Sequence, residues 1–136
     1  MSKTLRLEIV TPEAKTYSED VDMVTLPGVQ GEMGIYPMHV PLMTQVAAGE
    51  IAVRKDGKNH FLAIGEGFVE ITGDHVSIMT DMAIKADDID EAKAEEARQR
   101  AVDRLQQKLT DEEVASVNAA LLHSLTQLNV KRRRRV

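Results

Sequence analysis

The sequence predicts an α+β protein: an antiparallel β-sandwich or flattened barrel over residues 1–86, followed by an antiparallel two-helix hairpin over residues 87–136 that ends in a basic tail. Two observations carry this division. Apolar residues recur at every second position from Leu5 to about Asp81, the period of half-buried strands. Beyond Asp87 glycine and proline are absent, and Ala, Glu, Gln, Arg and Leu take over, which is helical composition.

Leu5, Leu7 and Ile9 begin the alternation, and Val21, Met23, Val24 and Leu26 continue it. From Leu26 to Leu42 the chain reads LPGVQGEMGIYPMHVPL, with three glycines, three prolines and a histidine in an otherwise apolar stretch. Pro27, Pro37 and Pro41 remove backbone donors and fix φ, while Gly28, Gly31 and Gly34 permit positive φ or close backbone approach. Such a stretch forms a shaped loop system between short strands. Ile51 and Val53 mark a further strand, and Asp56-Gly57 between alternating runs is a strong hairpin signal. Thr72-Gly73-Asp74 joins Phe68–Ile71 to Val76–Met79 in the same way.

For the first helix, Asp88 is the expected N-cap with Glu91 three residues on, and Ala94, Ala97, Ala101, Leu105 and Leu109 form one narrow stripe. Glu96 and Arg100 are spaced as a favourable i,i+4 pair. Thr110 caps the second helix with Glu113 closing a capping box, and Val114, Val117, Leu121, Leu125 and Leu128 make its stripe. A stripe made mostly of alanine buries little apolar area, so the hairpin is expected to hold weakly and to separate from its sandwich or partner.

At 136 residues, with 43% hydrophobic side chains, the chain builds one or two small units and no large catalytic fold. The absence of cysteine excludes disulfides, thiolate nucleophiles and cysteine metal sites. No segment reaches the roughly 18 consecutive apolar residues of a membrane span. The start, MSKTLRLEIV, runs straight into a strand pattern, so the expectation is a cytoplasmic, non-spanning protein. The net charge of −5 is uneven: residues 1–88 carry 7 basic and 14 acidic side chains, whereas Lys131 to Arg135 are all basic. A compact basic tail on an acidic body asks for an acidic partner.

Catalytic motifs are missing. Gly28-x-x-Gly31-x-x-Gly34 lacks the spacing and the following helix of a dinucleotide fingerprint, and no Walker A sequence occurs. His39, His60, His75 and His123 are scattered, without metal-ligand spacing. Asp87, Asp88, Asp90 and Glu91 lack the turning glycine of a calcium loop and suit helix capping instead. Two rival readings are a nucleic-acid-binding or adaptor protein using the basic tail, and a small sandwich enzyme. The first lacks aromatics near the tail for base stacking, and the second lacks a visible pocket of paired carboxylates.

Taken in order, Leu26-Pro27-Gly28, Gly31-Glu32-Met33-Gly34-Ile35, Pro37 with His39, Pro41-Leu42-Met43-Thr44, Gly49, Gly67-Phe68-Val69-Glu70-Ile71 and Ala86-Asp87-Asp88-Ile89-Asp90 resemble the ε (epsilon) subunit family of the F-type ATP synthase along essentially the whole chain. The resemblance implies a non-catalytic rotor subunit. Its sandwich would dock on the γ subunit and the ring of c subunits, and its helix pair would fold against the sandwich or extend into the catalytic α/β head. It places Glu32, His39, Pro41 and Leu42 at the c ring and γ. In several bacterial relatives an Ile-Asp-x-x-Arg-Ala pattern binds ATP. Here Ile89-Asp90-Glu91-Ala92-Lys93-Ala94 carries lysine in place of that arginine, and Ile84, His123 and Gln127 stand at other positions where those binders are charged. Asp90, Lys93 and Arg100 are thus a vestigial ATP site, and no cofactor is expected. Lys131, Arg132, Arg133, Arg134 and Arg135 would suit an acidic segment of the β subunit. By the same resemblance the protein contacts no nucleic acid. It would reach the cytoplasmic face of the bacterial plasma membrane only through its complex.

Overall fold

The computed structural model describes residues 4–134, so Arg135 of the basic cluster lies outside the described residues. Ten strands follow one another: β1 (Leu5–Val10), β2 (Lys15–Val21), β3 (Met23–Gly28), β4 (Gly31–Ile35), β5 (His39–Val46), β6 (Gly49–Lys55), β7 (Lys58–Ile64), β8 (Gly67–Gly73), β9 (His75–Thr80) and β10 (Ala83–Lys85). A 3₁₀ turn at Ala86–Asp88 leads into α1 (Glu91–Leu105) and α2 (Asp111–Arg133).

The strands form one hydrogen-bonded sheet in the order β10-β7-β6-β3-β5-β8-β9-β1-β2, with β4 paired to β3. Pairing is antiparallel except between β1 and β9, which run parallel. The sheet curls until its ends meet. Lys55 Nζ on β6 lies 2.5 Å from Glu19 Oε1 on β2, and Lys85 Nζ beyond β7 sits 5.8 Å from the ring centroid of Tyr17. Curling turns one face of every long strand inward, where Leu5, Leu7, Ile9, Val24, Leu26, Ile51, Val53, Leu62, Ile64, Val69, Ile71, Val76 and Ile78 form a single cluster. No buried residue of that cluster comes from the helices.

Turn chemistry fixes the register. Asp56 (φ 53°) and Gly57 (φ 77°) both take the left-handed conformation that a two-residue hairpin between β6 and β7 requires. In the Gly/Pro-rich stretch, Gly31 has φ 128°, and a Cβ on Gly28 would stand 2.7 Å from the Gly31 oxygen. Gly34 meets neither condition: it is an exposed strand position with φ outside the positive range.

The helices differ from expectation in three respects. Asp90, not Asp88, caps α1, its Oδ1 accepting the Lys93 amide at 3.1 Å, because the chain first makes the 3₁₀ turn at Ala86–Asp88. Among the described residues Glu95 pairs with Arg98 one turn on, and no ion pair joins Glu96 to Arg100. The second stripe is only partly covered: Leu128 is buried, Val117 and Leu121 are half-buried, and Val114 and Leu125 are exposed. The C-terminal half of α2 lies between α1 and the outer face of β6 and β7, so it is covered on two sides, with Ser124 and Leu128 on one and Thr126 and Val130 on nearly the opposite one. Ser124 and Thr126 tolerate burial because their hydroxyls donate to the Ala120 and Leu122 carbonyls at 3.0 and 2.8 Å. The capping box of Thr110 and Glu113 forms as expected.

Ala63 is buried between core-facing Leu62 and Ile64, the one place on β7 where alternation breaks. It faces the arm. With Ala86, Ile89 and Val130, and half-buried Phe61, Met82 and Ile84 around them, it forms a small second cluster that seats α2 on the sandwich.

Candidate functional site

Four places gather the residues singled out by sequence. The first is the turn between β4 and β5. Met38 is held at φ 67° there, its amide donating to Asp74 Oδ1 at 2.8 Å across from the β8–β9 hairpin. His39 Nδ1 approaches the Val40 oxygen at 2.6 Å, and the β5–β8 register shifts between His39 and Leu42. Pro41 falls in that irregular stretch, where a residue without an N–H costs no ladder bond. The outcome is a rigid knuckle displaying Tyr36, Met38, Val40 (74% exposed) and Leu42 to solvent.

Glu32 is not part of this knuckle. Gly28 pairs with both Gly31 and Val46, so Glu32 lies at the far end of β5 from His39, seven residue steps away or roughly 24 Å at strand spacing. It stands next to the β3–β4 turn, whose Val29 helps line a groove of about 550 Å³ with Val46, Phe68 and Leu122. The resemblance assigns the loop carrying Glu32 and the segment around His39, Pro41 and Leu42 to the c ring and γ; in the structure Glu32, on β4, lies near one end of β5 and His39 starts the other.

The third place is the start of α1. Asp90 is spent on the helix cap, and Lys93 and Arg100 are exposed on the helix surface, about 10 Å apart along its axis. On the second helix His123 Nε2 faces Asp81 Oδ2 at 3.0 Å. The Asp81 carboxylate occupies space that only a glycine at position 65 leaves open, since a Cβ there would stand 2.0 Å from Asp81 Oδ1.

The fourth is the basic end of α2, which the compact fold consumes internally. Lys131 Nζ donates to the Ala86 oxygen at 3.2 Å, and Arg132 Nε and Nη2 reach Glu91 and Glu95 at 2.9 and 3.3 Å. Arg133 Nη1 lies 4.0 Å from Glu50, and Arg134 donates to both Glu50 oxygens while its guanidinium stacks 3.6 Å above the Phe61 ring. Arg133 and Arg134 close one side of a groove of about 740 Å³ with Tyr17, Lys55, His60 and Lys85. Burial and the neighbouring Glu19 raise the Tyr17 phenol well above its ordinary pKa, and hydrogen bonds from Lys55 and Tyr17 hold the Glu19 carboxyl below its own. The partners that matter here, Glu50, Phe61, Asp74 and Asp81, escaped sequence reasoning. Asp74 follows a turn glycine and was within reach, but nothing local links Glu50 to an arginine 84 positions on.

Comparison with known proteins decides the family. Residues 4–86 match the ATP synthase, Delta/Epsilon chain, beta-sandwich domain, and residues 87–132 match the long alpha-helix domain of the same chains. The chain belongs to the ATP synthase delta/epsilon family. Its relatives named ATP synthase epsilon chain include that of Desulforamulus reducens, 39% identical over 94% of this chain and 97% of the relative, and that of Bacillus subtilis, 38% identical over the same shares. The fold is similar to a chain in the cryo-EM structure of Euglena gracilis mitochondrial ATP synthase with its c-ring (TM-score 0.71, 24% identity, 90% of this chain and 78% of that one). It is also similar to a chain of the Tetrahymena thermophila mitochondrial ATP synthase central stalk and c-ring (TM-score 0.62, 12% identity, 96% and 99%). Membership is thus that of the bacterial epsilon chains, a non-catalytic component of ATP synthase. Among the described residues no helix is long and apolar enough to cross a membrane.

Proposed function

We propose that the sandwich, residues 1–86, couples the γ subunit to the ring of c subunits, and that the arm, residues 87–136, restrains ATP hydrolysis by leaving the sandwich and lying against the catalytic α/β head. The observation that carries the second half is the orientation of α2. Its leucine and valine stripe is only partly used in the compact state, with Val114 and Leu125 exposed and Leu122 exposed beside it, while Val130 is the one α2 side chain in the small buried cluster that seats the arm on the sandwich. A helix with an unspent apolar face and a small dock has a second state to go to. Fully burying one such side chain is worth about 1.5–3 kcal/mol, so a seat that takes a single buried apolar side chain from α2 leaves compact and extended states competing within a few kcal/mol.

The knuckle of Tyr36, Met38, Val40 and Leu42, with His39 and Pro41 setting its shape, is the surface proposed for the c ring and γ, and Glu32 serves a separate contact at the opposite end of β5. Attachment to the membrane is then indirect, through the ring. In the extended state Lys131 to Arg135 would meet an acidic segment of the head. The test is reconstitution. A chain ending at Asp88 should still co-purify with γ and should raise hydrolysis by the assembled head. Equal hydrolysis with the truncated and full chains removes the restraining role, and failure of the sandwich to bind γ removes the coupling role.

A further inference from the structure

Four of the five cations that the extended state offers to an acidic partner, Lys131 to Arg134, are engaged inside the chain in the compact state, and the way they are engaged is specific. Glu50 is the receptor. Its side chain is only 11% exposed, at the start of β6, and both Arg133 and Arg134 converge on it. Arg134 donates from Nε and Nη2 to the two carboxylate oxygens, the fork geometry that makes arginine the strongest carboxylate partner, and its flat guanidinium lies on Phe61. Directly beneath, Val130 fills the small cluster of Ala63, Ala86 and Ile89, and Lys131 closes on the Ala86 oxygen. Arg132 does something different: it ties α2 to Glu91 and Glu95 of α1, so it closes the hairpin and leaves the arm's hold on the sandwich to its neighbours.

We propose that Glu50 and Phe61 form a built-in arginine receptor, and that Arg134, assisted by Arg133, is a latch that must leave it before α2 can swing away from the sandwich. The proposal rests on the two-state reading above and adds its control point. While Arg134 is forked onto Glu50 and stacked on Phe61 the end of α2 is tied to the sandwich, so the affinity of the sandwich for its own arm sets how readily the arm is released. Shielding by salt weakens a contact between charges at the surface more than the apolar seat beneath it, so release should also rise with ionic strength.

The test uses the full free chain and amide hydrogen exchange, which reports opening element by element. Glu50→Gln and Arg134→Gln should each lower protection of the amides of residues 124–130 by about tenfold, the size expected for losing a charge-assisted hydrogen bond, while amides of β1, β8 and β9 stay unchanged. The swap Glu50→Lys with Arg134→Glu should restore most of the protection, which a general loss of folding would not allow. In the assembled complex Glu50→Gln, which frees the arm without touching its charges, should deepen the restraint on hydrolysis, whereas Arg134→Gln should not. Unchanged protection in both single variants, or no recovery in the swap, overturns the latch whatever hydrolysis does. Loosening of the free arm by Glu50→Gln with no change in hydrolysis leaves the latch standing and defeats the restraining role instead.

Discussion

At the residue scale, the positions that decide this fold are ones where a single atom has no alternative place. Met79 O would stand 1.9 Å from a Cβ on Gly67, so Gly67→Ala has to push β8 away from β9. Denaturant unfolding should show it destabilised by more than a surface substitution, which stays within about 0.5 kcal/mol. Ile78, wholly buried in the main cluster, should cost about 2–5 kcal/mol on truncation to alanine. Thr110 and Glu113 cap α2 reciprocally, and Thr110→Ala should lower helix stability by about 1 kcal/mol in thermal melts followed by circular dichroism. The Thr110 backbone amide, then its hydroxyl, hold the Glu113 carboxyl below its ordinary value of 4.5. Because the folded pKa is the lower one, the contribution is present above the unfolded value and fades as pH falls through the folded one. Protection of the first turn of α2 should therefore decline below about pH 4.5, and Glu113→Gln should flatten that decline; an equally steep fall in the variant would assign it to other carboxylates.

At the element scale, the strands and the helices obey different economies. Each strand commits its inward residues to one shared core, whereas α1 leans mainly on α2 and α2 leans on the sandwich through its C-terminal half. The unequal use of α2 gives a paired expectation. Leu128→Ala removes the best-buried large side chain of the arm and should loosen the helix pair, costing about 2–5 kcal/mol of arm stability by hydrogen exchange. Leu125→Gln alters an exposed position and should leave the compact state within about 0.5 kcal/mol of the parent, yet weaken restraint of hydrolysis in the reconstituted head. Equal loss of compact-state stability in the two variants would mean the outward stripe is already engaged, and the argument for an extended state would lose its footing.

At the scale of the whole molecule, the separation of the two clusters predicts behaviour in the absence of any partner. The main core closes without a helical residue, so a chain ending at Asp88 should unfold at nearly the temperature of the sandwich in the full chain. Calorimetry of the full chain should in turn show the arm melting first, as a separate, lower transition; a single coincident transition for both units would contradict the small seat formed by Ala63, Ala86, Ile89 and Val130.

Much of this architecture was legible in advance because it depends on period and on turn chemistry, which are local. Leu5, Leu7 and Ile9 had to face one way, Asp56-Gly57 had to turn a hairpin, and Thr110 with Glu113 had to start a helix, whatever the rest of the chain did. The alanine-rich first stripe was equally plain, and Ala94 and Ala101 are indeed its buried members. Three things depended on elements far apart in sequence meeting in space: which face of α2 is covered, the placement of Glu32 and His39 at opposite ends of β5, and the capture of Arg134 by Glu50. A helix with apolar residues on more than one side carries no instruction about which side to bury until a sheet surface is offered to it. An ion pair across 84 residues leaves no periodic trace, so only the closed sandwich, with Ala63 opening a seat beside Glu50, could decide where the basic end of the chain would rest.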